Sequence, residues 1–304
     1  MFKYSLDNKR YHTLNYYLRN RFNSKVFKVP IDIGFSCPNK QSGGCIYCKD
    51  GSASNISSKK ESIIDKFNEA KDIMEKKWPN SLYIAYFQSG TNTYGPVDKL
   101  KKYIDELLKL DKVIGISIAT RPDMINDEWL DYLVKLNKKT FLSVEIGLQS
   151  SNDKTLELIN RGHDLDCFKE CVKKLKEKNI FICAHIINGL PYETKEDMLN
   201  TAKFLNDLHV DAIKIHALYI SKDTKLYDLY KKEKFHILTK EEYVDIVCEQ
   251  LELLDEKIVI ERITGDPIKE DLVEPKYLLK KFCVLNDIDK CMVKRDIYQG
   301  DKVK

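Results

Sequence analysis

Two apolar periods take turns along the 304-residue chain. Short β-rich runs over 28–35, 82–88, 113–120, 142–148, 180–187 and 212–220 are each bounded by turn or cap residues and predict six strands. Between them, apolar residues recur at spacings of three and four: Leu100, Ile104, Leu107 and Leu108; Trp129, Leu130, Leu133 and Leu136; Leu165, Phe168, Val172 and Leu175; Met198, Leu199, Ala202 and Leu205. That spacing puts one apolar face on each helix. Strands alternating with crossover helices require a parallel sheet, and right-handed crossovers over six units curl it into a barrel or partial barrel. The expected fold is therefore α/β, a partial (β/α)6 TIM-like barrel whose catalytic groups sit at the C-terminal ends of its strands.

Further along, Thr239 and Glu242 form a capping-box pattern that opens a helix with Tyr243, Ile246, Val247, Leu251 and Leu254 on one side. A seventh strand is expected over 258–263, outside the main barrel, followed by a moderately basic helical or irregular tail over 274–304. This divides the chain into an N-terminal extension over 1–28, a barrel over 29–238 and a C-terminal extension over 239–304 packed on the barrel.

Charge adds little in sum, since 51 basic residues face 47 acidic ones, but its distribution is uneven. Before Pro30 stand Lys3, Lys9, Arg10, Arg19, Arg21, Lys25 and Lys28, opposed only by Asp7 and interleaved with Tyr4, Tyr11, Tyr16, Tyr17 and Phe22. Such a segment can track a phosphate backbone and stack on bases. It reads equally as an amphipathic helix packing its rings on the main body. No apolar run approaches the roughly 20 residues that span a bilayer, so no membrane association is expected and the expected location is the cytoplasm. The stretch 2–21 is too polar for a secretory leader, so the nine cysteines are not expected to form a disulfide framework.

Three of those cysteines change the picture. Directly after the first predicted strand, Cys37, Cys45 and Cys48 share one loop with Gly43 and Gly44, at the rim where a barrel does its chemistry. Thiolates suit soft metals, and three of them on a cubane of four irons leave one iron without a protein ligand. The two glycines let the loop fold tightly over an inorganic core, and Tyr47 is placed to pack against a bound ring. The alternative is a structural zinc site, which ordinarily takes four ligands; no fourth Cys or His lies nearby in sequence. Cys167, Cys171, Cys183, Cys248, Cys283 and Cys291 read as ordinary core or isolated thiols.

The cysteine loop, Ala119-Thr120-Arg121-Pro122-Asp123, Val144-Glu145-Ile146-Gly147-Leu148-Gln149-Ser150, Asn160-Arg161-Gly162-His163 and His185-Ile186-Ile187-Asn188-Gly189-Leu190-Pro191 stand in order on successive units. Together they resemble the radical S-adenosylmethionine (SAM) enzymes related to the catalytic subunit of Elongator. Arg10-Tyr11, Asp32-Ile33-Gly34-Phe35 and Glu261-Arg262-Ile263-Thr264-Gly265-Asp266 extend the likeness to the YhcC/YtqA, or MnmL-like, family over nearly the whole chain. The resemblance implies a 4Fe-4S cluster on Cys37, Cys45 and Cys48, with SAM on its open iron as the source of a 5′-deoxyadenosyl radical. It also implies cofactor contacts from Tyr47, Gln88, Ser89, Glu145, Gln149, Arg161 and Asn188. By the same resemblance, Gln88-Ser89-Gly90-Thr91-Asn92-Thr93-Tyr94 stands where the family relatives carry the Gly-Gly-Glu loop that receives the SAM amino group, a task left to Gln88 or the adjacent backbone. Lys214, His185 and His216 are candidates for positioning substrate or moving protons.

For the YtqA-like branch, the resemblance implies a tRNA substrate. The reaction would convert carboxymethylaminomethyl to aminomethyl at carbon five of the wobble uridine, with the anticodon loop bound by the enzyme. Reduction would need an external one-electron donor such as flavodoxin or ferredoxin. The acetyltransferase domain of the Elongator subunit is not expected here, so acetyl-CoA-dependent chemistry is not carried over from that relative. Two other readings stay open at this point: a radical SAM enzyme acting on a small metabolite or partner protein, and a zinc-stabilised RNA-binding module.

Overall fold

The computed structural model describes residues 3–4, 6–49 and 62–303. In chain order its elements are α1 (Leu14–Phe22), β1 (Val26–Ile31), α2 (Ile63–Glu75), β2 (Leu82–Phe87), α3 (Val97–Leu107), β3 (Val113–Thr120), α4 (Asp127–Asn137), β4 (Phe141–Gln149), α5 (Asp153–Leu158), α6 (Leu165–Glu177), β5 (Phe181–Asn188), α7 (Lys195–Asp207), β6 (Ala212–Ala217), β7 (Ile220–Ser221), α8 (Lys225–Lys232), α9 (Lys240–Leu253), β8 (Val259–Ile263), β9 (Leu272–Glu274) and α10 (Lys281–Arg295). The main sheet has the order β1-β2-β3-β4-β5-β6-β8, and every neighbouring pair in it is parallel. It is a curled half-barrel with its helices on the outer face.

The strand over 258–263 corrects one expectation. It lies within the main sheet as the seventh strand, paired along β6 from Ala212↔Val259 to Ile215↔Ile263. Its sequence looks like that of an appended strand because its two polar residues, Glu261 and Arg262, interrupt the apolar run. β7 and β9 form a separate antiparallel ribbon.

Alternation along the strands sorts the side chains onto two faces. Val29, Phe87, Ile116, Ile118, Val144, Ile146, Ile182, Ile186, Ile213 and Ile215 point outward into the main core beneath the helices, where Leu100, Ile104, Leu133, Phe168, Leu205 and Leu251 are fully buried. Each such side chain contributes roughly 1.5–3 kcal/mol of burial, so the outer layer holds the sheet's shape. The expected capping box closes, with Thr239 and Glu242 bonding each other's backbone. α9 carries the tail helix α10, whose Val284, Ile288 and Met292 are buried in the same core.

The inner face is closed at the N-terminal ends of the strands by the N-terminal segment. Thr13 caps α1 by accepting from the Tyr16 amide. Leu18 of α1 is buried with Val26 and Ile84, flanked by Leu14, Tyr17, Phe22 and Phe141. Tyr17 stacks on Phe181 at 5.4 Å and Phe22 meets Phe141 edge-on at 5.9 Å. Of the two uses open to this basic aromatic segment, its rings serve the packing one. A half-barrel needs a floor, and these rings supply it at the pole opposite the cysteine loop.

Candidate active site

The chain leaves β1 at Ile31 and turns through a loop that carries all three clustered cysteines. A short 3-10 turn over Pro38–Ser42 follows Cys37, and Gly43 and Gly44 reverse the chain with φ of +88° and +71°. The loop is held from across the rim. Asn160 donates its amide to the carbonyls of Ser42 (2.9 Å) and Gly44 (2.7 Å). Asn39, itself buried, donates to the Asn160 carbonyl (2.7 Å) and to the Cys45 sulfur (3.3 Å). The Lys225 ammonium donates to the Gly43 carbonyl at 2.7 Å. The motif Asn160-Arg161-Gly162 is therefore the clamp of the cysteine loop, and Gly162 is obligatory there, since a Cβ would lie 2.4 Å from the Asn39 Oδ1.

Arg161 joins this clamp to the inner face. Its Nη2 donates to the Gly147 carbonyl at 2.7 Å and its Nη1 points at the Cys45 sulfur at 3.8 Å. Burial works against its charge, but Tyr47 and Cys45 beside it hold the guanidinium above its ordinary range. The Tyr47 phenol is pushed well up by burial and then by Cys45. A cation fixed 3.8 Å from the Cys45 sulfur complements the negative charge of a metal-bound sulfur.

The loop over 88–94 lies against the cysteine loop. The Thr91 amide donates to the Ser36 carbonyl at 3.2 Å. Gly90 has φ +71°, and a Cβ there would stand 2.1 Å from the Phe35 carbonyl oxygen. Gly90→Ala is expected to cost on the order of 2 kcal/mol in a urea titration and to lower the iron retained after reconstitution; wild-type values for both would contradict the contact. The Asn92 amide pins this loop to the carbonyls of Phe87, Ser89 and Ala119.

These residues fit the expected cofactors on one observation: the Ser89 hydroxyl and the Arg161 Nε are buried beside this loop without a hydrogen-bond partner. Unpaired buried polar groups are costly, and a polar ligand bound between the two loops would complete both.

Deeper in the half-barrel, all seven strands send a side chain into one polar network. Glu145 on β4 is fully buried. Its Oε1 accepts from Lys28 on β1 (2.8 Å) and Ser117 on β3 (2.7 Å). Its Oε2 accepts from Tyr86 on β2 (2.7 Å), His185 on β5 (2.8 Å) and Lys214 on β6. Glu261 on β8 accepts from Lys28 at 2.6 Å and lies 3.5 Å from Lys214. Burial opposes the charge of Glu145, yet Lys214 and Lys28 hold its carboxyl well below the usual carboxylate range. Both lysines are correspondingly raised by Glu145 and Glu261 against the effect of burial. Two ammonium groups face two carboxylates.

The network fixes the histidine above it. Burial lowers His185, and burial followed by the proximity of His185 lowers His216 further, so both rings are neutral near pH 7. The ionised Glu145 can only accept, so His185 carries its proton on Nε2 and presents Nδ1 as an acceptor. The His185 and His216 rings lie 5.3 Å apart. Glu145, Cys183 and His185 also gather within 4.8 Å, but the two lysines already occupy the cation positions around that carboxylate.

The structure thus brings Tyr47, Arg161 and Cys45 together, and joins Glu145, His185 and Lys214 one layer below. Glu145 has both oxygens committed to the chain's own donors, contrary to a direct grip on SAM. Gln149 folds back over Gly147, its amide nitrogen 2.6 Å from where a Cβ would be. Asn188 corrects its expectation outright, because alternation on β5 turns it to the outer face, where it exchanges hydrogen bonds of 2.8 and 2.9 Å with Gln250 of α9. Arg121 is an internal brace, bidentate to Asp123 and bonded to the carbonyls of Arg161 and Gly162. Sequence reasoning assigned no site role to Asn39, Asn160 and Glu261 and placed Lys28 in the basic N-terminal segment. Asn39 lies in the cysteine loop and Asn160 in the Asn160-Arg161-Gly162-His163 motif, but nothing in their spacing shows that one grips the other; Lys28 joins the interior network only once strand alternation is drawn.

Comparison with known proteins agrees with this geometry. The pattern of the Radical SAM superfamily matches residues 32–205, and that of the Radical SAM C-terminal domain matches residues 210–294. YtqA of Bacillus subtilis is 45% identical over 304 residues, covering 98% of this chain and 94% of YtqA. A tRNA uridine(34) acetyltransferase of Methanocaldococcus infernus is 23% identical over 177 residues, covering 56% of this chain and 33% of that protein. Among solved structures, the archaeal Methanocaldococcus infernus Elp3 superposes with a TM-score of 0.68 at 18% identity, covering 91% of this chain and 64% of that one, which shows a shared fold.

Proposed function

The chain belongs to the radical SAM superfamily, and from that premise we propose that it modifies tRNA, converting carboxymethylaminomethyl to aminomethyl at carbon five of the wobble uridine. Members of the superfamily bind a 4Fe-4S cluster and SAM, which together supply a 5′-deoxyadenosyl radical able to take a hydrogen atom from an unactivated carbon. Cys37, Cys45 and Cys48 would hold the cluster. Arg161 balances the Cys45 thiolate and Asn39 orients its sulfur, while Asn160 and Lys225 keep the loop from opening. The Ser89 hydroxyl and Arg161 Nε would hold polar groups of SAM, with Gln88, Gln149 and Tyr47 as further residues that would contact it.

Below them, the Lys28–Glu145–Lys214–Glu261 network is a rigid ionised floor. Lys214 is held protonated by two carboxylates and serves as a fixed positive charge rather than a base. After loss of a hydrogen atom and one further electron, returned to the cluster, the glycine-like carbon would form an imine that water hydrolyses, leaving aminomethyl on the uridine and releasing the two-carbon fragment as glyoxylate. His185, with Nδ1 unprotonated and its ring fixed by Glu145, would carry the proton from the attacking water to the amine nitrogen. His216 lines the same wall.

The observation that carries this reading is the clamped loop of three thiols with buried, unpartnered Ser89 and Arg161 groups beside it. Support for RNA as substrate comes from relatives whose names describe tRNA modification. Nucleoside analysis of tRNA from a strain lacking the gene tests it. Carboxymethylaminomethyluridine is expected to accumulate at the expense of aminomethyl products. An unchanged set of wobble uridines would overturn the tRNA reaction.

A further inference from the structure

With the N-terminal rings committed to the floor, a substrate RNA needs another surface, and one stands at the open rim. Between Glu274 and Asp287 the chain carries Lys276, Lys280 and Lys281 and no acid. Within this stretch Leu278 is buried as an anchor, whereas Leu279 is 43% exposed and Phe282 is 72% exposed, the highest value for a large apolar side chain among the described residues. Leu279 and Phe282 together, flanked by cations, offer apolar surface that a partner can bury.

Its position ties it to the active site. The loop after β8 wedges Gly265 between the Ala217 carbonyl at the end of β6 and the Leu278 side chain, with a Cβ position 3.2 and 3.5 Å from them. Lys281 donates to Asp266 of that loop at 2.7 Å, and Asp266 lies 3.5 Å from Arg262. Arg262 in turn acts on His216, whose pKa is lowered first by burial and then by His185 and the Arg262 charge. The segment therefore sits on the C-terminal rim, and a line of charge leads from it to the histidine wall.

We propose that Lys280, Lys281 and Phe282 form the edge on which the RNA substrate docks, with an unstacked base on the Phe282 ring and phosphates against the two lysines. This rests on the RNA reading above. A stack on one aromatic ring is sequence-tolerant and strong enough to hold a splayed loop. Lys276, Lys280 and Lys281 lie in a stretch of chain without acids, and Lys281 shares its charge with Asp266, which Arg262 also faces; the edge is cationic in sum and supplies the charge complementarity that a protein partner's apolar face would not need.

The test is binding of a fluorescently labelled anticodon stem–loop RNA to the anaerobically prepared full-length holoenzyme. Phe282→Ala is expected to weaken binding about tenfold. The double variant Lys280→Gln/Lys281→Gln is expected to make the slope of log affinity against log salt shallower by roughly 1.5. Both should retain wild-type SAM cleavage in the absence of RNA, which shows that the fold and cofactor site are intact. If the wild type binds and both variants bind equally well with an unchanged salt slope, the docking edge is wrong and the tRNA reading survives. If the wild type binds no RNA, both fall. If Phe282→Ala turns a dimer into a monomer at equal RNA affinity, the surface is a self-association face and the proposal is overturned.

Discussion

Cys45→Ser is expected to abolish SAM cleavage and to leave little iron on the chain after reconstitution. The Cys45 thiol is gripped from two sides, by Asn39 at 3.3 Å and by Arg161 at 3.8 Å. A serine oxygen is a harder and shorter ligand than sulfur and suits iron–sulfur clusters poorly. With only Cys37 and Cys48 left, a cluster would be held by two residues of one loop. The chain should still fold, because Cys45 is only partly buried and the clamp from Asn160 to Ser42 and Gly44 does not involve its sulfur. Iron and sulfide content together with 5′-deoxyadenosine production after chemical reduction are the readouts. Full iron content with wild-type cleavage would contradict the ligand assignment.

Glu145→Gln is expected to destabilise the protein by about 3–5 kcal/mol in urea titration, the usual cost of leaving buried charge unpaired. The substitution keeps the shape of the side chain but leaves Lys28 and Lys214 facing Glu261 alone. Sequence reasoning put Glu145 directly on SAM, which would have led to weaker SAM binding in a stable protein; the geometry leads to lost stability first. Glu145→Leu/Lys214→Leu, which removes one cation with the anion, is expected to recover more than half of the loss. A Glu145→Gln protein within 1 kcal/mol of the wild type would show that the network is not a balanced ionic floor.

Periodicity made most of the fold legible. The expected strand over 113–120 coincides with β3, and Leu100, Ile104 and Leu107 are buried on α3 as their spacing requires. The Val259–Ile263 strand was legible as a strand but not as a member of the main sheet, because sheet order depends on pairing partners that local patterning does not encode. The cysteine loop could be read because its three ligands are close in sequence. The interior network could not, since its members lie one per strand from Lys28 to Glu261 and only alternation combined with register brings them together. Asn188 misled for the same reason, being one position out of phase with His185 on β5.

Cys37, Cys45 and Cys48 are proposed to hold a four-iron cluster at the mouth of this half-barrel, leaving one of its irons without a protein ligand. Anaerobic reconstitution with iron and sulfide, followed by Mössbauer spectroscopy and reduction in the presence of SAM, tests it most directly. The expected result is about four irons and four sulfides per chain, one iron whose signal changes when SAM is added, and formation of 5′-deoxyadenosine. A protein that takes up a single tetrahedral metal ion instead, assembles no cubane and leaves SAM intact would contradict it.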